Sequence, residues 1–139
     1  MEDVRVAATI IHLPDSYIMR HRKTGNDKGE EGKFGLYGGQ VEETDRDAQH
    51  TARRELEEES GLQFPLQGFD YQGFVHVKSE RGGEEILTEA EIFLLLPSGF
   101  SAGEFNNGLR MSPRQISRAR ALGQLSSVAS ASLSKFMGV

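Results

Sequence analysis

The chain has no cysteine, and that one absence removes disulfides, thiolate nucleophiles and cysteine-bound zinc together. Its four histidines, His12, His21, His50 and His76, are dispersed without ligand spacing, so no imidazole metal site is expected either. Long apolar runs are missing: the longest, Ile92 to Leu96, falls far short of the roughly 20 residues a helix needs to cross a bilayer. Asp3, Arg5, His12 and Asp15 leave no apolar core for a signal segment near the start. Basic residues are outnumbered, 16 against 21 acidic, and the formal net charge of −5 repels polyanions at long range, which argues against general nucleic-acid binding. The expectation is a soluble cytoplasmic protein with no membrane partner, whose ligand carries phosphate only if cations offset the repulsion.

What remains is the composition of an ordinary globular domain. With 37% hydrophobic and 27% charged residues and no internal repeat, the 139 residues are expected to form a single domain spanning 1–139 around one core. Val4, Val6, Ala8 and Ile10 alternate with their neighbours up to Pro14-Asp15-Ser16, and Tyr17 to Arg22 resumes an extended pattern, which predicts a hairpin. Residues 23–33 are glycine-rich and charged and predict a surface loop, after which Phe34 to Tyr37 form a short apolar segment before Gly38-Gly39. From Thr44 to Ser60 the pattern is helical, with Thr44 as N-cap, acidic side chains in the first turn and Gly61 as a left-handed stop. Phe69 to Lys78 and Ile86 to Leu96 read as two long antiparallel strands joined by a turn at 79–83. Ser112-Pro113-Arg114-Gln115 starts another helix, with Ser as cap, Pro first and Gln at the reciprocal capping position, and Gly123 interrupts the C-terminal helical stretch. That order is not the regular alternation of a doubly wound sheet, so the class expected is α/β of the α+β kind, a mixed β-sheet with helices on both faces.

The chemistry is concentrated between Gly38 and Leu62, where a double glycine precedes a helix bearing Arg54, Glu55, Glu57, Glu58 and Glu59. At about 100° per residue, Glu55, Glu58 and Glu59 share one arc of the helix, and Glu57 projects from the other side. Carboxylates this close repel one another unless a cation or a base compensates, and hard divalent ions prefer such oxygen ligands. Magnesium suits an open acidic face, because it keeps several waters and takes further ligands from substrate phosphates. Arg54, beside the first of the three, is placed to hold a neighbouring glutamate by the planar two-bond geometry of guanidinium and carboxylate.

The segment Arg54-Glu55-Leu56-Glu57-Glu58-Glu59-Ser60-Gly61-Leu62 resembles the latter half of the Nudix box at every fixed position: Arg, Glu, aliphatic, any, Glu, Glu, any, Gly, aliphatic. Phe34-Gly35-Leu36-Tyr37-Gly38-Gly39 is similar to the family's approach to the box, with Tyr37 where proline is common. The upstream half departs from the pattern, since Asp45 takes the place of a glutamate and one extra residue separates it from Arg54. The likeness covers about the first two-thirds of the chain, by strand order as well as by box.

The resemblance implies a Nudix-like α/β/α sandwich and hydrolysis of a diphosphate linkage in a nucleoside diphosphate derivative or nucleoside triphosphate. Water attacks one phosphorus while cations stabilise charge on the attacking and leaving oxygens. It implies a metal set of the Gly38 carbonyl with Glu55, Glu58 and Glu59, for magnesium or alternatively manganese. Arg54 supports the set, and Arg22, at the end of the second strand with Arg20 and Lys23, is the candidate for substrate phosphate. Phe34 and Tyr37 are candidates to stack on a nucleobase. The proton acceptor is left open between Glu58 and Glu104, the latter in the GEFNNG loop.

The competing reading is a catalytically weak or silent nucleotide-binding regulatory module of the same fold, motivated by the altered spacing. A prenyl diphosphate isomerase of related fold is set aside, because the family version resembling that activity uses a cysteine. Leu125, Val128, Leu133 and Phe136 are apolar positions that pack either on the core or on a second copy in a homodimer.

Overall fold

The computed structural model describes residues 2–22 and 32–139, together with the backbone but not the side chain of Arg81. Most of the loop expected at 23–33, Lys23 included, lies outside the described residues.

A seven-stranded mixed sheet is organised around strand β1, Glu2–His12. Its long partner is β6, Glu84–Leu95, paired in parallel from Glu2↔Ile86 to Ile11↔Leu95. The other edge of β1 is shared. β4, Tyr37–Gln40, pairs antiparallel along its middle, from Val6↔Gln40 to Thr9↔Tyr37. β2, Tyr17–His21, takes only its end, at Ile11↔Ile18 and His12↔Tyr17. The predicted hairpin therefore exists but is short. Beyond it, β2 pairs with β3, Phe34–Gly35, on one side and with β7, Gly108–Met111, on the other.

β5, Asp70–Arg81, forms a hairpin with β6. Its turn is narrower than the predicted 79–83: Gly82 and Gly83 alone make it, with φ of 59° and 82°, the left-handed pair that lets two residues join strands of right-handed twist.

Helices cover both faces, as the patterning predicted. Ala52 and Leu56 of α1, Ala48–Ser60, pack with Ala7, Ile11, Ile18, Tyr37, Phe93 and Phe105 on one side. Ile116 and Ala119 of α2, Pro113–Ala121, and Ala129 and Leu133 at α3, Ser127–Ser132, pack with Ala8, Ile10, Met19 and Ile92 on the other. Because both faces are covered, β1 is buried without a break from Ala7 to Ile11. Leu125 and Leu133 are buried in that second core and Val128 and Phe136 pack against it, so within this chain the apolar positions of the last segment cover the sheet.

α1 begins later than Thr44. Asp47 is the N-cap, its carboxylate accepting the His50 N–H at 2.9 Å, and no acidic residue stands in the first turn. Residues 43–47 instead form turns and bends that take up the extra residue before the helix. The predicted end is found: Gly61 has φ 79° and donates its N–H to the Glu57 carbonyl. Ser112, Pro113 and Gln115 likewise form the predicted capping box of α2.

Candidate active site

Helix α1 lies with two carboxylates on the backbone of β4. The Gly38 N–H donates to Oε1 of Glu59 at 2.9 Å. A Cβ at Gly39 would fall 2.4 Å from the carboxyl carbon of Glu55, and one at Gly38 would fall 2.5 Å from the Ala7 carbonyl oxygen across the strand pair. The two glycines therefore serve different contacts: Gly38 admits β1 and Gly39 admits Glu55. In neither case is positive φ the reason.

Helical geometry explains which of the three glutamates are half-buried and which is exposed. The face packed on the core is centred near Ala52 and Leu56, and at about 100° per residue Glu59 and Glu55 adjoin it while Glu58 turns away. Side-chain exposure follows: 14% for Glu55 and 18% for Glu59, against 58% for Glu58. Glu57 projects elsewhere and accepts from Gln63 at 2.6 Å.

Arg54 organises the upper side of this face. It meets Asp45 through Nε to Oδ1 at 2.9 Å and Nη2 to Oδ2 at 2.8 Å, and Nη1 reaches Glu55 at 3.0 Å and Glu58 at 3.4 Å. Asp45 also accepts from Thr51 Oγ1 and from the Glu42 N–H. These bonds, Arg54 first, hold the Asp45 carboxyl well below the usual carboxylate range.

Burial acts the other way on the two inner glutamates. It pushes Glu59 up to about 7, against the lowering effects of Arg20 and the Gly38 N–H, and it raises Glu55 despite Arg54. Arg20 Nη1 lies 3.7 Å from Glu59 Oε2. Among the described residues, no three acidic or histidine side chains come close enough together to hold a metal ion between them. The sequence spacing predicts three converging carboxylates; the fold brings two to the glycines and leaves the third on the flank with Arg54.

Both inner glutamates open into a cavity of about 390 Å³, within the size range of small-ligand sites. Arg20, Arg22, Gly38, Gly39, Glu55 and Glu59 are in its lining, and Val4, Val77 and Ile86 line it with Ser79, Glu80 and Thr88 interleaved among them. Residues 3–122 match the family described as the NUDIX domain.

The chain belongs to that family. No curated protein matches it. Among solved structures it resembles a NUDIX hydrolase from Nitrosomonas europaea, with TM-score 0.69 and 16% identity over 99% of this chain and 90% of that one. An Ap4A hydrolase of C. elegans shares 14% identity at TM-score 0.65, over 99% and 98% of the two chains. A bifunctional NMN adenylyltransferase/ADP ribose pyrophosphatase of Francisella tularensis, solved with AMP and a manganese ion, has TM-score 0.69 and 14% identity over 98% of this chain and 41% of that one. At these identities the likeness is one of fold.

Within this Nudix fold the remaining sequence candidates fall in different places. Arg22 lines the cavity, and a Cβ at Gly35 would fall 2.6 Å from its Nε. Tyr37 is fully buried in the core beside α1 and donates its hydroxyl to the Asn106 carbonyl at 2.6 Å, so its ring has no face for a nucleobase. Phe34 packs on the opposite core with its ring 5.1 Å from that of His21. Neither aromatic is part of the cavity lining. Glu104 closes a short turn, Oε2 accepting the Ser101 N–H at 2.7 Å and the Ser101 hydroxyl at 3.3 Å. The aliphatic wall has no local signature, because Val4, Val77 and Val128 come from three separate elements whose meeting only the fold determines.

Proposed function

We propose that this protein hydrolyses a diphosphate linkage in a nucleoside diphosphate derivative or nucleoside triphosphate, using a divalent cation, magnesium or alternatively manganese. The observation that carries this is the pair of half-buried carboxylates, Glu55 and Glu59, laid on Gly38-Gly39 in the wall of a cavity that also presents Arg20, Arg22 and aliphatic side chains.

The donor set fits a hard cation. It is all oxygen, and both side chains are carboxylates whose burial disfavours their charge, a cost that a bound cation offsets. The space where Glu55 meets Gly39 is one that a Cβ would fill. Two carboxylates rather than a closed cage is also what magnesium usually takes from a protein, with water and substrate phosphate as the rest. The holders proposed are Glu55, Glu59 and the Gly38 carbonyl. An ion there supplies a lowered pKa for water and neutralises charge on phosphoryl oxygens.

The chain's own groups do the remainder. Arg54 fixes Glu55, and Asp45 fixes Arg54. Arg22 presents positive charge to substrate phosphate from the lining of the same cavity. The wall formed by Val4, Val77 and Ile86 with Ser79 and Thr88 takes the nucleoside by apolar contact and hydrogen bonding rather than by aromatic stacking. Glu104 is engaged by Ser101 at 2.7 Å, whereas Glu58, 58% exposed and on the helix that carries Glu55 and Glu59, has a longer 3.4 Å contact with Arg54, which favours Glu58 as acceptor of the proton lost by the attacking water.

A silent nucleotide-binding module would be favoured by a broken brace behind Arg54, and the brace is made, by two hydrogen bonds from the Nε–Nη2 edge of the guanidinium to Asp45. The test is a magnesium-supplemented panel of nucleoside triphosphates and nucleoside diphosphate derivatives, with wild type and Glu59→Gln. Hydrolysis of at least one compound, reduced roughly a hundredfold or more in the variant, is expected; absence of turnover across the panel refutes the proposal.

A further inference from the structure

Arg20 is the next-to-last residue of β2, and its cross-strand partners on both sides are glycines, Gly35 of β3 and Gly108 of β7. Pairing on two edges fixes its backbone. The side chain, 16% exposed, reaches α1, where Nη1 lies 3.7 Å from Oε2 of Glu59. The other oxygen of that carboxylate, Oε1, accepts the Gly38 N–H at 2.9 Å. Glu59 is thus held from β2 at one oxygen and from β4 at the other.

A glutamate at the end of a helix has three rotatable bonds, and one hydrogen bond to Oε1 leaves the carboxylate free to swing about it. The charge of Arg20 removes that freedom. In a wall sheltered from water such a pair acts more strongly than on the surface, even without a short hydrogen bond.

We propose that Arg20 is a positioning residue of the active site: from β2 it holds the Glu59 carboxylate against the double glycine, where the cation is taken up. This rests on the reading of Glu59 as a cation holder. The alternative role for a basic residue here is direct contact with substrate phosphate. The guanidinium of Arg20 faces a carboxylate of the wall itself, and of the two arginines it exerts the larger effect on Glu59. Groups that orient ligand side chains without touching the ion commonly contribute about 10- to 100-fold to metal affinity or activity.

The experiment measures Mn²⁺ binding to the substrate-free protein, from the free-ion electron paramagnetic resonance signal, alongside steady-state kinetics. Wild type, R20Q, R20K, E59Q and the double variant R20Q/E59Q are compared. E59Q is expected to weaken Mn²⁺ binding at least about tenfold, R20Q about tenfold and R20K about threefold. The double variant binds no worse than E59Q alone, and R20Q lowers kcat with KM within about twofold of wild type. If E59Q weakens binding while R20Q leaves it unchanged and raises KM, Arg20 contacts phosphate and the inference is overturned with the reading of Glu59 intact. If E59Q itself leaves Mn²⁺ affinity unchanged, the reading of Glu59 fails and the inference falls with it. Should R20Q unfold at the assay temperature, R20K decides: weakened Mn²⁺ binding at unchanged KM supports the role, and wild-type affinity with raised KM overturns it.

Discussion

Asp45 and Arg54 face each other through two parallel hydrogen bonds, 2.9 Å and 2.8 Å long, although Asp45 is shorter by one methylene than the glutamate of the Nudix pattern and stands one residue further from the arginine. The extra residue is absorbed at 43–47, where the chain turns before Asp47 caps α1.

Breaking this pair is expected to act first on stability. Asp45→Asn removes one charge from a pair whose acidic partner is 6% exposed, and a cost of about 2 kcal/mol is expected, measured by urea unfolding at pH 7. The pH dependence has a definite sign. The folded pKa of Asp45 is depressed, so its contribution is present above the unfolded value of about 3.9 and is lost as pH falls further. Wild type and variant should therefore converge in stability towards acid pH; a gap that widens below pH 4 contradicts the assignment.

The two adjacent glycines should fail in different ways when a methyl is added. Gly38→Ala drives a Cβ to 2.5 Å from the backbone oxygen of Ala7, and a loss of about 3 kcal/mol in folding stability is expected from overpacking a strand pair. Gly39→Ala meets only the end of the Glu55 side chain, at 2.4 Å. It should fold with a near-normal melting temperature and lose about a hundredfold in kcat, because the displaced carboxylate can swing away but no longer sits in place. Equal melting temperatures for the two variants would count against this division.

Glu55, Glu58 and Glu59 should separate when each is changed to glutamine. Glu55→Gln and Glu59→Gln are expected to weaken Mn²⁺ binding and to lower kcat together. Glu58→Gln should lower kcat by about a hundredfold with Mn²⁺ affinity little changed, as expected for a proton acceptor outside the coordination sphere. Binding titrations and initial rates on the same preparations check this, and a matching loss of Mn²⁺ affinity in all three returns Glu58 to the cation.

Glu104→Ala tests the remaining carboxylate. Losing the reciprocal bonds with Ser101 should cost about 1 kcal/mol in thermal or urea unfolding, with kcat reduced less than about tenfold. A loss of a hundredfold or more would instead make Glu104 the proton acceptor.

Much of the architecture is legible locally. The capping box at Ser112, Pro113 and Gln115, the stop at Gly61 and the helical spacing of Glu55, Glu58 and Glu59 all form between residues within one or two turns, so the sequence near each position decides them. The N-terminal boundary of α1 is not legible, because Thr44 and Asp47 are both good caps and the residues beside them do not decide between them. β7 escapes sequence reading for a related reason. Gly108–Met111 is short and has no alternation to reveal it, and β2 is what makes it a strand.

By itself, then, the sequence determined the family, the acidic helix with its stop at Gly61, and the capping of α2, since each follows from side chains close together along the chain. Only the tertiary structure decided that Glu55 and Glu59 enter the cavity while Glu58 stays outside, that Tyr37 belongs to the core, and that Arg20 meets Glu59. The reason is physical: which side of a helix is buried, and what lies opposite, depends on the register of β4 and β2 against β1, and that register is set by packing over the whole sheet.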